Sequence, residues 1–188
     1  MKVGGMGPMN IYRGQFKATR YYKSDDNQPT RYRHSTLFVV YGLPLLAGVL
    51  DVILLITCKV SLSESFKNSI LSALGIVAGA LIAAFTQVAT WRDKLSAVQE
   101  KKKNAERPDR WLVDCSAAHL IAGACSALMT CVLVILSLLL APIALISDWV
   151  KGALDVGICV VLMHVLVSLY VALPGFYAAY IQVNHRRG

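Results

Sequence analysis

Charged side chains are scarce in this sequence, making up 16% of its 188 residues, where a globular domain carries about a quarter. Catalytic signatures are missing as well. There is no HExxH pair for zinc, no GxSxG nucleophile elbow and no phosphate-cradling GxxxxGK[ST] loop. The four histidines, His34, His119, His164 and His185, are scattered over separate segments rather than grouped at metal-ligand spacing. The five cysteines, Cys58, Cys115, Cys125, Cys131 and Cys159, include no CxxC pair and lie in or beside apolar runs. That placement suits packing residues better than disulfides or metal ligands. No enzyme, cofactor or metal is expected.

What the chain has instead is long apolar runs, over residues 37–58, 69–90, 112–147 and 153–183. Each reaches the roughly 20 residues a helix needs to cross a hydrocarbon core of ~30 Å. The expected fold is an all-α integral membrane protein, four transmembrane helices arranged as two hairpins. Charge placement tests this separately, because short cytoplasmic loops collect Lys and Arg. Sixteen of the nineteen Lys and Arg fall in residues 1–36, 91–111 and 184–188, which share one side of a four-span topology. Both termini are therefore expected in the cytoplasm. Trp91, Trp111 and Trp149 fall at expected boundaries, where the amphipathic indole ring is favoured. A soluble helical bundle, the competing reading, accounts for neither pattern. The first run begins 36 residues in and is long for a cleavable leader, so it is expected to stay as a signal anchor.

Residues 1–36 combine seven basic residues with five aromatics and show no sustained helical or strand period. They read as a largely extended cytoplasmic arm with a short ordered piece at residues 11–22. Residues 37–188 form the transmembrane domain, with a cytoplasmic helical hairpin at 91–111 turning near Pro108. Arg13, Lys17, Arg20, Lys23, Arg31 and Arg33 in the arm, and Lys101, Lys102 and Lys103 in the hairpin, are candidates for contact with an anionic inner leaflet or a cytoplasmic partner. Each basic residue near such a surface contributes about 1 kcal/mol of attraction. The three lysines are accompanied by four acids in the hairpin, which argues against direct, sequence-specific nucleic-acid binding. A merely solvated tail is the plainer alternative for the arm.

Helices in lipid associate through small residues. The second run aligns Ser72, Gly75, Gly79 and Ala83; the third, Ala118, Ala122, Ser126 and Thr130; the fourth, Gly157, His164, Ser168 and Gly175. These seams read first as helix packing, within the chain or between copies, and second as the lining of a polar path. Asp51 lies seven residues from the end of the first run, roughly 10 Å deep. His164 is near the middle of the fourth. Ionisable groups at such depth are functional candidates, and Asp51, His164 and Ser168 are expected to share one polar site. The plainer reading pairs Asp51 with any nearby hydroxyl and His164 with a carbonyl. Asp155, Asp114 and His119 sit near run boundaries, where headgroups or water can reach them.

Tetraspanin and animal junction proteins carry a large extracellular loop with characteristic cysteines, and this sequence has neither. A basic multi-pass chain in which "SILSALGIVAGALIAAF" leads into "WRDKL" resembles the small transmembrane effectors of bacterial anti-phage systems, including those accompanying retron reverse transcriptases. The resemblance implies a bacterial inner-membrane protein held inactive by a cytoplasmic partner, and the small-residue seams lead to the expectation of a homo-oligomer packed through Gly75/Gly79 and His164/Ser168. In retrons that partner is a ribonucleoprotein. Release during infection would compromise membrane integrity or potential and arrest the cell. A small ion-coupled transporter using Asp51 and a membrane scaffold or accessory subunit are the competing functions.

Overall fold

A computed structural model describes residues 8–18, 20–22, 29–32, 34–58, 61–100, 108–143 and 148–185. Four of its helices are long and apolar enough to cross a membrane, over Phe38–Cys58, Glu64–Arg92, Val113–Leu140 and Asp148–Pro174. The elements in order are α1 (Pro8–Ala18), β1 (Arg20–Tyr22), β2 (Pro29–Tyr32), a short α2 (His34–Leu37), a five-residue π-helical turn (Phe38–Gly42), α3 (Leu43–Cys58), α4 (Glu64–Glu100), α5 (Pro108–Leu140) and α6 (Asp148–His185). The segment expected to be largely extended therefore contains an 11-residue helix, α1, whose first residue is Pro8, a favoured opening residue. It is followed by a small antiparallel ribbon in which Arg20 faces Tyr32.

The turn that opens the first span has a local cause. Pro44 carries no N–H, and its ring crowds the carbonyl four residues back. The chain widens there, so Leu43 N–H bonds to Phe38 O, five residues back. Gly42 accommodates the turn, since a Cβ there would meet the Phe38 ring at 2.8 Å. Ser63 starts α4 by accepting the Phe66 N–H on its hydroxyl at 3.2 Å. At 37 residues, α4 is about 55 Å long and continues past the ~30 Å core. Residues 101–107, with Lys101, Lys102 and Lys103, lie outside the described residues, and α5 resumes at Pro108.

Packing follows three main interfaces, α4 on α5, α5 on α6 and α3 on α6. The α3–α6 contact rests on glycines in both helices. A Cβ on Gly48 would collide with Val160, and one on Gly152 with Leu55, so each helix receives a side chain of the other. One apolar cluster, around Leu81, Val88, Trp91, Val113 and Ala172, fills the α1 end of the bundle. Trp91 belongs to this cluster, its ring 4.8 Å from that of Phe176, so its role includes packing as well as an interfacial position. A second cluster, with Ile70, Leu74, Ala127, Val134, Ile158 and Val165, fills the far end.

The polarity is inverted relative to a water-soluble protein. Leu45, Leu50, Ile56, Ile76, Leu139 and Leu173 stand exposed, while Gln15, Lys67, Ser116, His119, Ser126, Thr130, Ser137, Asp155, His164 and Ser168 are buried. Hydrocarbon around the helices accounts for the exposed face, because exposed apolar patches of this extent are rare in soluble monomers. The chain is accordingly a membrane-inserted, multi-pass protein.

Candidate functional site: a polar stripe along α5

The buried polar residues are concentrated along one face of α5. His119, Ser126, Thr130 and Ser137 are all buried, and residues 7, 11 and 18 positions apart return to nearly the same angle at 100° per residue. The stripe runs along most of the apolar span, and its two ends have different partners.

At one end the partner is α1. Tyr12 and Gln15 are three residues apart and so share a helix face. The Tyr12 hydroxyl lies 3.1 Å from Ser126 Oγ, a residue roughly 20 Å along α5 from Val113. Ser126 Oγ is in turn 2.9 Å from His164 Nδ1 on α6. The Gln15 amide Nε2 donates to His119 Nδ1 at 3.2 Å and to Ser168 Oγ at 3.1 Å. Since Nε2 is a donor, His119 presents Nδ1 as an acceptor. The His164 ring also lies 6.0 Å from Tyr12 and 6.1 Å from Tyr41. Gln15 is completely buried, yet its Oε1 has no hydrogen-bond partner among the described residues.

At the far end the partners are charged. Lys67 Nζ lies 2.7 Å from Asp155 Oδ1 and donates to Ser137 Oγ at 2.8 Å. The Ser137 hydroxyl donates to the same Asp155 Oδ1 at 3.3 Å, and Leu62 N–H donates to Oδ2 at 3.1 Å. Between the two ends the Thr130 hydroxyl donates to Ser126 O at 2.9 Å, and Val134 and Ile158 are fully buried.

The expected partnership of Asp51 with His164 is replaced by two separate environments. Asp51 lies on the α3 face that meets α6, close to Cys159, whereas His164 faces Ser126, Tyr12 and Tyr41. His164 and Ser168 are brought together through the groups on α1 and α5. Asp155 and His119, which were expected to meet headgroups or water, are instead buried and hydrogen-bonded. Asp114 does lie at a partly exposed boundary, paired with Arg92 at 2.7 Å.

The small-residue seams also separate. Ala122 and Ser126 are buried, and Ala118 is half-buried. Gly157 has Leu133 within van der Waals reach of a Cβ, and Gly175 follows Pro174 within α6. Ser72, Gly75, Gly79 and Ala83 are all exposed, and a Cβ on Gly75 or Gly79 would meet nothing within 4 Å. That face is therefore unused among the described residues. Of the basic candidates, Arg13 is exposed on α1, Lys17 belongs to α1, Arg20 to β1 and Arg31 to β2. Lys23 and Arg33 fall outside the described residues.

Sequence reasoning missed Tyr12, Gln15, Lys67 and Ser137. The available signals were the spacing of Tyr12 and Gln15 in "PMNIYRGQFKA" and the recurrence of His119, Ser126, Thr130 and Ser137. Among the described residues, no group of three or more His, Cys, Asp or Glu is placed to hold a metal ion. No protein-family model, curated protein or solved structure matches the chain.

Proposed function

We propose that this chain is a membrane effector in which the polar stripe of α5 is a conduction path closed by α1. Release of the basic arm by a restraining cytoplasmic partner would let α1 withdraw, uncover His119, Ser126, His164 and Ser168 and let the membrane potential collapse. The observation that carries this reading is the seating of Tyr12 and Gln15 directly on those groups. Gln15 Oε1, which has no partner among the described residues, supports it further. A buried acceptor without a donor costs about 1–3 kcal/mol, so α1 is held below its full binding strength and is easier to remove.

In this reading both termini are cytoplasmic, the helices form two antiparallel hairpins, and the membrane is the bacterial inner membrane. The setting is abortive anti-phage defence, with a ribonucleoprotein or another regulator as the restraining partner; this setting draws on the layout and on "SILSALGIVAGALIAAF" followed by "WRDKL". No catalytic step is needed. Copies of the chain associate through the open Gly75, Gly79 and Ala83 face, because His164 and Ser168 are already occupied within one chain. Ion-coupled transport is the second reading, favoured by Asp51 buried partly against α6 beside Cys159.

The test is membrane potential in bacteria, read with a voltage-sensitive dye during induced expression. The double variant Tyr12→Ala/Gln15→Ala should depolarise cells more strongly than the wild type. Adding Gly79→Leu should abolish that effect without reducing insertion. A steady potential with the inserted double variant would overturn the plug reading and favour transport at Asp51.

A further inference from the structure

The far end of the stripe holds an arrangement that the α1 closure does not explain. Lys67 and Asp155 are buried, with side chains 9% and 5% exposed, and each belongs to a different helix. Both carboxylate oxygens of Asp155 are positioned by groups other than the lysine: Oδ2 by Leu62 N–H and Oδ1 by the Ser137 hydroxyl. The Lys67 ammonium therefore sits on a pair of oxygens, Asp155 Oδ1 and Ser137 Oγ, that do not depend on it for their placement.

We propose that these two oxygens form a monovalent-cation site, and that Lys67 is a tethered cation occupying it. Like-sized charge and donor geometry make an ammonium a natural stand-in for a free ion such as K⁺ or NH₄⁺, with water completing the coordination. The surrounding charge favours a cation there. Asp51 on α3 lies at the same end, and both it and Asp155 lie near Cys159, one turn along α6 from Asp155. The other described lysine at this end, Lys151, is tied by Nζ to Ala141 O at 3.0 Å and is not positioned to replace Lys67. When Lys67 leaves, a free cation takes its place. This rests on the stripe being the path, and it names the permeant class as monovalent cations with the far end as their entry or exit site.

The experiment is thermal unfolding of purified full-length protein in detergent, at fixed ionic strength, in the chlorides of sodium, potassium, ammonium and N-methylglucamine. A ligand that binds only the folded state raises Tm by mass action. Lys67→Met should lower Tm, and a small cation should recover part of the loss relative to N-methylglucamine. The double variant Lys67→Met/Asp155→Asn should show no difference among the salts, and the wild type, whose site is filled, should show little. Lys67→Gln, which keeps a polar side chain, serves in the same way if Lys67→Met does not fold. Equal Tm of the folded Lys67 variant in all four salts would overturn the proposal, as would an equal salt response in the Asp155→Asn background. Recovery by acidification alone, identical in every salt, would also overturn it, because a proton on Asp155 would then be sufficient. The readout needs no ion flux, so a selective salt response in a protein that never depolarises cells would remove the conduction reading and leave the site.

Discussion

The two ends of the α5 stripe are closed by different chemistry. At the α1 end the contacts are neutral hydrogen bonds and aromatic rings, supplied by a separate short helix that leaves one amide oxygen without a partner among the described residues. At the far end the contact is an ion pair between long helices of the bundle, reinforced by a serine and a backbone N–H. A neutral, incompletely satisfied contact can be released at modest cost, whereas a buried ion pair is costly to break from one side. The first suits a removable closure and the second a contact that opens only when another cation takes the place of Lys67.

The largest expected effect breaks the far end. Asp155→Leu strands the Lys67 ammonium and should cost about 3–5 kcal/mol in detergent unfolding. Adding Lys67→Leu should recover part of that loss, because the paired apolar replacement leaves no buried charge. If the double variant were as unstable as the single, the serine and backbone contacts would outweigh the ion pair.

Next in size, Gly48→Leu should cost roughly 1–3 kcal/mol by overpacking against Val160. Gly79→Leu, with open space around its Cβ position, should leave unfolding of the isolated chain within about 0.5 kcal/mol. Similar losses for both would mean that the Gly79 face is occupied in the detergent-solubilised protein.

Ser126→Ala tests the α1 end by removing the hydroxyl between Tyr12 and His164. The expected cost is about 1–3 kcal/mol, and it should fall on α1 and on the turn of α6 that carries His164. Hydrogen exchange should show faster opening of residues 8–18, with protection in α4 unchanged. Uniform loss of protection would make α1 an integral part of the core. The smallest effect belongs to Ser72→Ala, expected within about 0.5 kcal/mol. Its hydroxyl faces outward and bonds to Asn68 O of its own helix, so it contributes to neither closure.

Parts of this arrangement could be read directly from residues. Ser126 and Thr130 stood out through their four-residue spacing, and His164 and Ser168 through depth and recurrence. Treating the α5 seam as a row of small residues hid its polar character, because His119 and Ser137 lie 7 and 11 positions from Ser126 rather than 4. Asp51 was legible as a buried carboxylate, but its neighbour was not, since depth along a helix says nothing about which helix stands opposite. Lys67 lies outside the apolar run of residues 69–90, three positions into α4, so nothing local marks it as buried. Its long side chain reaches Ser137 and Asp155, and no local pattern encodes that reach.

By itself the sequence determined the membrane assignment and the number of spans. Hydrocarbon thickness sets helix length, and charge is excluded from the core, so both are local properties of a run of residues. Only the tertiary structure decided that α1 seats against Ser126 and His119, that α3 packs on α6 through Gly48 and Gly152, and that Lys67 meets Asp155. Those outcomes depend on which helix faces fit together and which buried polar groups find partners, a competition among distant segments that no single stretch of sequence contains.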